Sequence, residues 1–416
     1  MLKLGGVVIP MQQNSNKEMD IIENITYLVG DAQTVNNMTD VCALEPFCDE
    51  IIEFLNDLSK TLLSNKVSRL YPDVITLGFW LRKGSVLKLK ERFECSDNIV
   101  RVGRGVAFHI APSNVAVNYA YSLVTGLLTG NANIVRISTK EFPQVSIINN
   151  AIQQALDRNK SIKPYICIVK YGRDQGINDF LSSLADVRII WGGDATISQL
   201  RKSPLGPRAS EISFADRYSL AVVDSIAYLN EDNKERIAEE FYNDTFLSDQ
   251  NACTSPRIVI WIGNRKEEAQ EVFWSKLHEL VKKRYEFQPI QGINKLTSSY
   301  LMAVNKKGTI IMERPDNLIY RVRIPEIDSS IMELKDNSGY FFEYDCDDIM
   351  QIRELCNNTH CQTIGYIGDK DIFLPLLKSG IKGVDRIVPV GKTMDFDLIW
   401  DGYNLVERLT RSINII

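Results

Sequence analysis

The sequence lacks several features that would place it in whole classes of protein. No uninterrupted apolar stretch in its 416 residues approaches the roughly 18 residues that a membrane-spanning helix needs. It has no excess of basic charge, since 48 Lys and Arg stand against 53 Asp and Glu, and a nucleic-acid-binding face is normally basic. Gly and Pro, at 24 and 14 residues, are too few for a fibrous or low-complexity chain. We therefore expect a globular protein without a membrane span and without a nucleic-acid partner.

The N-terminal residues and the spacing of the cysteines indicate the cellular compartment of the protein. The first six residues, MLKLGG, contain no charged region followed by an apolar one, so we expect no signal peptide. The eight Cys lie at irregular spacings, and in a long chain this is typical of a reducing cytosol in which thiols stay free. We therefore predict a cytoplasmic, multi-domain enzyme in which one thiol can serve in chemistry.

A metal site is not predicted. Cys346, Cys356, His360 and Cys361 form the densest group of thiol and imidazole side chains. However, Cys356 and Cys361 are five residues apart, and no second CxxC pair accompanies them as a zinc site would require.

The order of apolar patterns predicts the organisation of the chain. The first hundred residues are mainly helical, as in residues 49–63, where apolar side chains recur at helical spacing. From residue 106, short apolar strands alternate with helices, which requires crossover connections and so a parallel, Rossmann-like sheet. We expect its strands at residues 106–111, 133–137, 165–169, 187–191 and 220–223, and a second α/β region that begins with the apolar strand 257–262.

The segment DQNACTSPR, residues 249–257, is the most informative one for chemistry. It places Cys253 in a small polar loop between a predicted helix and a predicted buried strand. A nucleophilic thiol needs partial exposure, and backbone N–H groups with a nearby cation favour its thiolate. We therefore predict that Cys253 is a nucleophile and not a buried structural cysteine.

Polar residues follow three of the predicted strands. Pro112, Ser113 and Asn114 follow the first strand, and Arg136 lies near the end of the next. Loops at the carboxyl ends of parallel strands are where open α/β sheets bind ligands. Asn114 could either present its amide to an oxyanion or cap the following helix. The glycines at 192 and 193, before another helix, allow close approach of a phosphate.

Together these segments resemble the aldehyde dehydrogenase superfamily. Its pattern runs strand–P–x–N, G–N–x–x–x–V–K, a strand followed by F-T-G-S, and then the catalytic Cys. The matching positions are Pro112 with Asn114, Gly130 and Asn131 through Arg136, Trp191 through Asp194, and Cys253. Within the superfamily the sequence is similar to the LuxC-type acyl-CoA reductases, which make fatty aldehyde for bacterial luciferase. That likeness also includes residues 71–83 (YPDV with FWLRK), 252–256 (ACTSP), and 383–389 (GVDRIVP) with 399–403 (IWDGY).

The resemblance implies a fold and a domain order. The expected fold is α/β and aldehyde dehydrogenase-like, with a Rossmann-type cofactor domain and a second α/β catalytic domain. We expect residues 1–222 to form a helical layer with the NADP-binding domain and residues 223–390 to form the catalytic domain that carries Cys253. Residues 391–416 are expected to return to the cofactor domain.

The resemblance also implies NADPH-dependent reduction of an acyl thioester, expected to be a fatty acyl-CoA, to the aldehyde through an acyl-Cys253 intermediate. Asn114 and the Cys253 backbone N–H would stabilise the oxyanion. Oxidising relatives carry a water-activating Glu at a position that falls near Ser213, with Asp216 close by, so hydrolysis is not expected. The acceptor of the thiol proton stays open. The cofactor-binding residues would be Ala111, Pro112, Ser113, Arg136, Ser138, Thr139, Lys140, Gly192, Gly193 and Asp194.

The choice of NADPH follows from charge at one position. NAD-specific relatives place a Glu on the adenosine ribose where this sequence has Thr139, between Arg136 and Lys140. A neutral hydroxyl beside two cations suits a 2′-phosphate better than a carboxylate would.

Two alternatives stay open. An acylating reductase of the same fold could act on a short-chain, amino-acyl or carrier-protein-bound acyl group, or the chain could be a non-catalytic scaffold subunit. As partners, the resemblance implies an acyl-CoA or acyl-protein substrate, an acyl-protein synthetase, and a second copy in a homo-oligomer, for which residues 86–102 could supply a β-hairpin.

Overall fold

The computed structural model describes residues 24–94 and 98–415. The α-helices are α1 (Ala32–Asn37), α2 (Asp49–Ser64), α3 (Pro72–Trp80), α4 (Lys83–Arg92), α5 (Asn118–Leu128), α6 (Pro143–Arg158), α7 (Gln175–Leu184), α8 (Asp194–Leu200), α9 (Ser225–Asn230), α10 (Lys234–Thr245), α11 (Lys266–Arg284), α12 (Pro289–Asn305), α13 (Arg353–Asn357), α14 (Leu374–Lys378) and α15 (Leu405–Leu409). The strands are β1 (Thr26–Val29), β2 (Ile99–Gly103), β3 (Val106–Ile110), β4 (Ala132–Ile137), β5 (Ile166–Lys170), β6 (Val187–Trp191), β7 (Ser210–Phe214), β8 (Tyr218–Asp224), β9 (Pro256–Ile262), β10 (Ile310–Ile311), β11 (Tyr320–Arg323), β12 (Tyr340–Asp345), β13 (Cys361–Ile367), β14 (Arg386–Pro389), β15 (Ile399–Trp400), β16 (Tyr403–Asn404) and β17 (Thr410–Asn414).

The chain forms two compact units. The first contains the described residues up to Ala215 and those from Tyr403 onward, and the second contains Asp216–Gly402. The first unit holds a six-stranded sheet in the order β1-β5-β4-β3-β6-β7, and the second holds a seven-stranded sheet in the order β10-β11-β12-β9-β8-β13-β14. No helix in the described ranges is long and apolar enough to cross a membrane.

The first sheet is the predicted Rossmann-like one. Its central strands β4, β3 and β6 pair in parallel, and every residue of β3 and β6 is buried, as expected for a parallel sheet covered on both faces. The helical layer is also present. In α2 the stripe predicted from the sequence, with Ile51, Leu55 and Leu62 among it, is buried, and α3 begins with Pro72, where a missing N–H costs little.

The predicted strand at 220–223 exists but belongs to the other sheet. It forms part of β8, which lies between β9 and β13 in the second unit. Only three residues separate the end of β7 at Phe214 from the start of β8 at Tyr218. A parallel neighbour needs a crossover of about a dozen residues or more, so β8 could not have continued the first sheet beside β7.

The predicted β-hairpin at 86–102 is wrong for the residues that the structure describes there. Residues 83–92 form helix α4, in keeping with the strong helix propensity of Lys, Leu, Glu and Arg. Strand β2 pairs instead, antiparallel, with β17 near the C-terminus, from Thr410 opposite Gly103 to Asn414 opposite Ile99. The C-terminal strand therefore lies in the first unit.

Candidate active site

The loop that carries Cys253 lies in the second unit between α10 and β9. Its backbone is unusual, because Asp249 and Gln250 both have φ near +52°. Non-glycine residues in the left-handed region cost of order 1–3 kcal/mol each and persist where the surroundings fix them. The loop is therefore held by contacts from outside itself.

Gln250 supplies the first of these contacts. Its side chain is fully buried, and its carbonyl oxygen accepts hydrogen bonds from the backbone N–H groups of Gly339 at 2.7 Å and Tyr340 at 3.2 Å. Its amide nitrogen donates to the carbonyl oxygens of Pro256 at 3.1 Å and Tyr340 at 3.3 Å. The amide thereby pins the nucleophile loop to the start of β12.

Arg257 holds the same loop from the other end. Its buried guanidinium donates to the carbonyl oxygens of Gln250 and Asp336, the latter at 2.7 Å, and to the side-chain oxygen of Asn337. Asn337 in turn donates to the Asn251 side chain at 2.9 Å. Burial lowers the pKa of Arg257 to about 10, while nearby acidic groups oppose that shift. The result is a buried cation four residues after Cys253 and close enough to favour its thiolate.

Cys253 itself is half-buried. Ser219 donates to its carbonyl oxygen at 2.7 Å, and the backbone N–H of Arg217 donates to its sulfur. Burial raises the pKa of the thiol; the Arg217 N–H and the Arg257 charge lower it, and the carboxylates of Asp216 and Asp401 raise it again. The predicted N–H donor and cation are present, but they do not outweigh burial, so the net effect is a raised pKa of the thiol.

Arg217 connects this thiol to two distant segments. Its guanidinium pairs with Asp385 and with Asp401, the latter at 3.5 Å, and donates to the Cys361 carbonyl oxygen at 2.5 Å. Asp401 also accepts a hydrogen bond from Gln362, and burial raises the pKa of its carboxyl.

The GVDRIVP and IWDGY stretches therefore meet at Arg217. The junction is tight, because a Cβ on Gly402, whose φ is +73°, would lie 2.8 Å from an Asp385 oxygen. Both stretches contributed to the resemblance to the LuxC-type reductases, but their pairing with Arg217 was not predicted from the sequence. The unexplained Asp at 385 and at 401 was the available signal.

Asp216 lies near the thiol, as its place in the sequence suggested. Its exposed carboxylate is 3.7 Å from the Lys335 ammonium and acts electrostatically on Cys253. The Nδ1 atom of His360 lies 2.7 Å from the Asp216 carbonyl oxygen, so this nitrogen must carry the proton. His360 has the partner that the sequence did not reveal.

The sequence-predicted cofactor residues gather in the first unit. They lie at the end of β4 or directly after β4, β3 and β6, which are neighbours in the sheet, so the three sets of residues share one edge. Asn114 is exposed, and α5 begins four residues later at Asn118 with Val117 as its N-cap. The capping alternative for Asn114 is therefore wrong.

Of the two cations near the end of β4, Arg136 already has contacts within the protein, whereas Lys140 is exposed. The Arg136 guanidinium lies 4.7 Å from the Tyr171 ring centre and donates to the carbonyl oxygens of Tyr171 at 3.4 Å and Gly172 at 3.3 Å. Its Nε has no hydrogen-bond partner among the described residues. Thr139 and Lys140 are exposed.

After β6, the main chain at Gly193 has free space beside it. Gly193 is the N-cap of α8, and a Cβ added to it would meet no atom within 4 Å, whereas one on Gly192 would touch Thr196. Asp194 opens the helix. A ligand could thus approach the main chain at Gly193.

One His and several Cys side chains away from the nucleophile loop are buried in the structure. His109 is completely buried, 2.7 Å from the Ser122 hydroxyl and 3.0 Å from the Asn133 oxygen, so it is a core residue. Cys346, Cys356 and Cys361 are buried. Within residues 24–94 and 98–415, no three His, Cys, Asp or Glu side chains are grouped so as to hold a metal ion.

Comparison with known proteins decides the family. The profile of the family described as acyl-CoA reductase (LuxC) matches residues 86–412, which is most of the chain. The protein belongs to the acyl-CoA reductase (LuxC) family.

Curated relatives are similar at low identity. The long-chain acyl-protein thioester reductase of Aliivibrio fischeri is 22% identical over 315 residues, which cover 74% of this chain and 63% of the relative. That of Photorhabdus laumondii is 22% identical over 332 residues, 75% of this chain and 64% of the relative. A shorter match to the Vibrio harveyi protein is 28% identical over 179 residues, 42% and 36% of the two chains. The chain thus spans a little under two thirds of the length of the first two relatives.

Solved structures establish the fold of this family member. An oxidoreductase from Marinobacter aquaeolei superposes with a TM-score of 0.65 at 12% identity, covering 96% of this chain and 90% of the other. The glyceraldehyde-3-phosphate dehydrogenase of Methanocaldococcus jannaschii, complexed with NADP, gives 0.62 at 12% identity with 98% and 95% coverage. An NAD-dependent benzaldehyde dehydrogenase from Corynebacterium glutamicum gives 0.59 at 12% identity with 91% and 86% coverage. The predicted aldehyde dehydrogenase-like α/β fold is confirmed.

Proposed function

We propose that this protein reduces a long-chain acyl thioester to the fatty aldehyde, through an acyl-Cys253 intermediate and with NADPH as the reductant. The observation that carries the proposal is the nucleophile loop. Its strained backbone is fixed by Gln250 and Arg257 around one half-buried thiol, in a chain of the acyl-CoA reductase family. The relatives act on acyl-proteins according to their names, so either an acyl-protein or acyl-CoA is the donor.

Capture of the acyl group is a thioester exchange. The Cys253 sulfur bonds to the carbonyl carbon as the bond to the donor thiol breaks, and the thiol proton leaves with the departing group. The exchange replaces one thioester by another and is nearly isoenergetic. The Arg217 N–H and the buried Arg257 charge stabilise the thiolate while it attacks. Covalent capture divides one difficult reduction into two easier steps.

The tetrahedral oxyanion needs two donors. We assign these to the Cys253 backbone N–H and the Asn114 side-chain amide, since donors aimed at the developing charge lower the barrier by about 3 kcal/mol each. Asn114 is exposed and lies four residues before the first residue of α5. Ser219 fixes the Cys253 backbone through the carbonyl oxygen.

The described residues fit a nicotinamide dinucleotide with a 2′-phosphate. Gly193 allows a phosphate to approach the main chain, and Ala111, Pro112 and Ser113 line the neighbouring loop at the same sheet edge. When bound, NADPH supplies the hydride that converts the acyl thioester to the aldehyde stage.

Charge after β4 supports the choice of NADPH. Lys140 is exposed, and the Arg136 Nε has no hydrogen-bond partner in the part of the chain that the structure describes. Thr139 is neutral, and Ser138 accepts a hydrogen bond from the Lys140 N–H at 3.1 Å. The cations suit a 2′-phosphate. NADPH consumption at least tenfold more efficient than NADH consumption would agree with this, and a preference for NADH would refute it.

We expect the enzyme to retain its acyl group, because the position of the water-activating Glu falls near a serine. Ser213, on β7, stands near the position where oxidising relatives carry a water-activating Glu, and a hydroxyl cannot serve as that base. Without it, the acyl-Cys253 thioester persists until it is reduced. An acyl-protein synthetase that supplies the activated acyl group is the partner that such a donor implies.

The decisive experiment is mass spectrometry of the intact protein after incubation with palmitoyl-CoA and no NADPH. We expect one acyl group per chain, localised to Cys253 by peptide mapping and absent in Cys253→Ser. Cys42→Ser, which removes an exposed thiol in the first unit, is the matched control and should acylate normally. An adduct elsewhere, or aldehyde formation by Cys253→Ser, would refute the mechanism.

A panel of acyl-CoAs of graded length, and an acyl-protein donor, separates the long-chain proposal from a short-chain or carrier-bound alternative. A chain that no donor acylates would be the scaffold.

A further inference from the structure

Helix α12 in the second unit has its apolar side chains on the solvent side. Six large apolar residues of the helix, together with Ile310 on β10, are between 37% and 83% exposed. We refer to these seven residues as the α12 stripe: Ile290, Ile293, Leu296, Tyr300, Leu301, Val304 and Ile310. Successive members on the helix are one to four residues apart, so they form one continuous face.

The opposite face of α12 is the one that packs on the protein, and it is only partly apolar. Its buried residues are Gly292, Lys295, Ser299 and Met302. Lys295 is completely buried, and its ammonium donates to the carbonyl oxygens of Asn317, Leu318 and Ser338 at 2.7, 2.9 and 2.6 Å. The helix is therefore fixed through a polar contact, and its orientation with the stripe outward is enforced by a buried cation.

The stripe is large enough to be an interface. With roughly 200 Å² as the full area of a large side chain, the exposed fractions amount to about 800 Å². An ordinary stable interface takes about 800 Å² from each partner. Isolated exposed apolar residues need no explanation, but a contiguous patch of this size marks an interaction site.

The charge pattern indicates which partner fits. Lys295 is the only charged residue from Gln288 through Asn305, and it is buried, so the outer face of α12 carries no charge at all. In a two-fold symmetric contact every residue near the axis faces the same surface of the other copy. Any charge there would meet its like, and a neutral apolar face avoids that cost. An acidic or basic partner, or an anionic membrane, would instead select charged residues around the stripe.

The edge of the sheet continues the same surface. Strand β10 has only two residues and is the outermost strand of the seven-stranded sheet, and Ile310 on it is 55% exposed. An unpaired strand edge is a site at which chains associate unless it is covered. A partner on α12 would also cover this edge.

We propose that the α12 stripe is the interface between two copies of this chain, formed by antiparallel packing of α12 on its symmetry mate. The centre of the stripe lies near Thr297, so Ile293 of one copy packs near Leu301 of the other and Ile290 near Val304. This surface differs from the hairpin-based association that the resemblance implies, and it does not depend on the enzymatic function.

The test is the mass of the chain in solution by light scattering coupled to size exclusion, at tens of micromolar. We expect an assembly that contains at least a dimer for the native chain. Val304→Asp and Ile293→Asp should each halve the number of copies by raising the dissociation constant at least about a hundredfold, since each places an unpaired carboxylate in an apolar interface twice. Val304 is 83% exposed, so its substitution does not disturb the fold.

The matched control is Leu377→Asp, which introduces the same charge at a 42% exposed apolar position on α14 of the same unit and should leave the mass unchanged. Circular dichroism confirms that each variant is folded. A monomeric native chain, or stripe variants that keep the native mass, would overturn the proposal. A monomer that needs the stripe to bind another protein would overturn it as well.

Discussion

The backbone N–H of Arg217 donates to the sulfur of Cys253, while the guanidinium of the same residue is paired with Asp385 and Asp401. One residue therefore connects the nucleophile to the two C-terminal segments that are most distinctive in the sequence. The balance of charges around Arg217 is expected to set how readily the thiol ionises. That balance can be altered one group at a time.

Asp401→Asn should make the thiol more acidic. The Asp401 carboxylate disfavours the thiolate, and Asn keeps an oxygen to accept the hydrogen bond from Gln362. We expect the midpoint of Cys253 alkylation by iodoacetamide, measured against pH, to fall by about half a unit to one unit. Asp385→Asn is the control, since Asp385 also pairs with Arg217, whereas the carboxylates that raise the pKa of the thiol are those of Asp216 and Asp401. An unchanged midpoint in Asp401→Asn, or an equal shift in both variants, would contradict this account.

The reaction should become faster as the pH rises above neutrality. The pKa of Cys253 is raised by burial, and only the thiolate attacks, so the reactive fraction increases with pH until the thiol is ionised. Single-turnover acylation from pH 6 to 10 should show a rate that climbs about tenfold per pH unit in its lower limb. Arg257→Gln should move this limb to still higher pH, because the buried cation favours the thiolate. A rate independent of pH between 6 and 9 would mean that the thiol is already ionised.

Thr139→Glu should shift the cofactor preference towards NADH. A carboxylate at this exposed position would accept hydrogen bonds from ribose hydroxyls and repel a 2′-phosphate. We expect the ratio of kcat/KM for NADPH to that for NADH to fall at least tenfold. Thr139→Gln has the same size without the charge and should leave the ratio within about threefold. Cofactor binding followed by fluorescence gives the same comparison independently of turnover.

His109 should make the first unit less stable in mild acid. Burial lowers its pKa to about 4, below the ordinary value near 6.5, so between these values the unfolded chain takes up a proton that the folded chain does not. The stability is complete above about pH 6.5 and declines as the pH falls towards 4, by about 3 kcal/mol at most. In His109→Gln this part of the decline should vanish. Thermal unfolding of both proteins at pH 7.5 and 4.5 measures the difference, and an equal loss in the two would disprove it.

Much of the fold follows from local pattern. Strand β6 occupies the predicted residues 187–191, because a short apolar run between turn residues has few other solutions. Helix α12 was not predicted, since its buried face holds Gly292, Lys295 and Ser299 and its apolar residues face outward. Prediction from apolar periodicity assumes that the apolar face of a helix is the buried one, whereas the buried face here has Met302 as its only large apolar residue.

The candidate site likewise has parts that could be predicted from the sequence and parts that could not. The positions of the Cys253 loop before β9 and of the loops after β3, β4 and β6 could be predicted from the sequence, because each borders a recognisable strand. Arg217, Asp401 and Arg257 could not, since their contacts span up to 184 positions, from Arg217 to Asp401, and no local pattern encodes such a pairing. The raised pKa of the thiol was also out of reach, because it depends on burial.

Gly339 is far from the nucleophile in sequence, yet its N–H is one of the two that hold the Gln250 oxygen. Its φ is +87°, and a Cβ there would come within 2.5 Å of the Leu318 carbonyl oxygen. Even a single methyl group at this turn would displace the main chain and weaken the hydrogen bonds that hold the loop of Cys253, eighty-six positions earlier. Damage to the chemistry can therefore arise at a glycine that never meets the substrate.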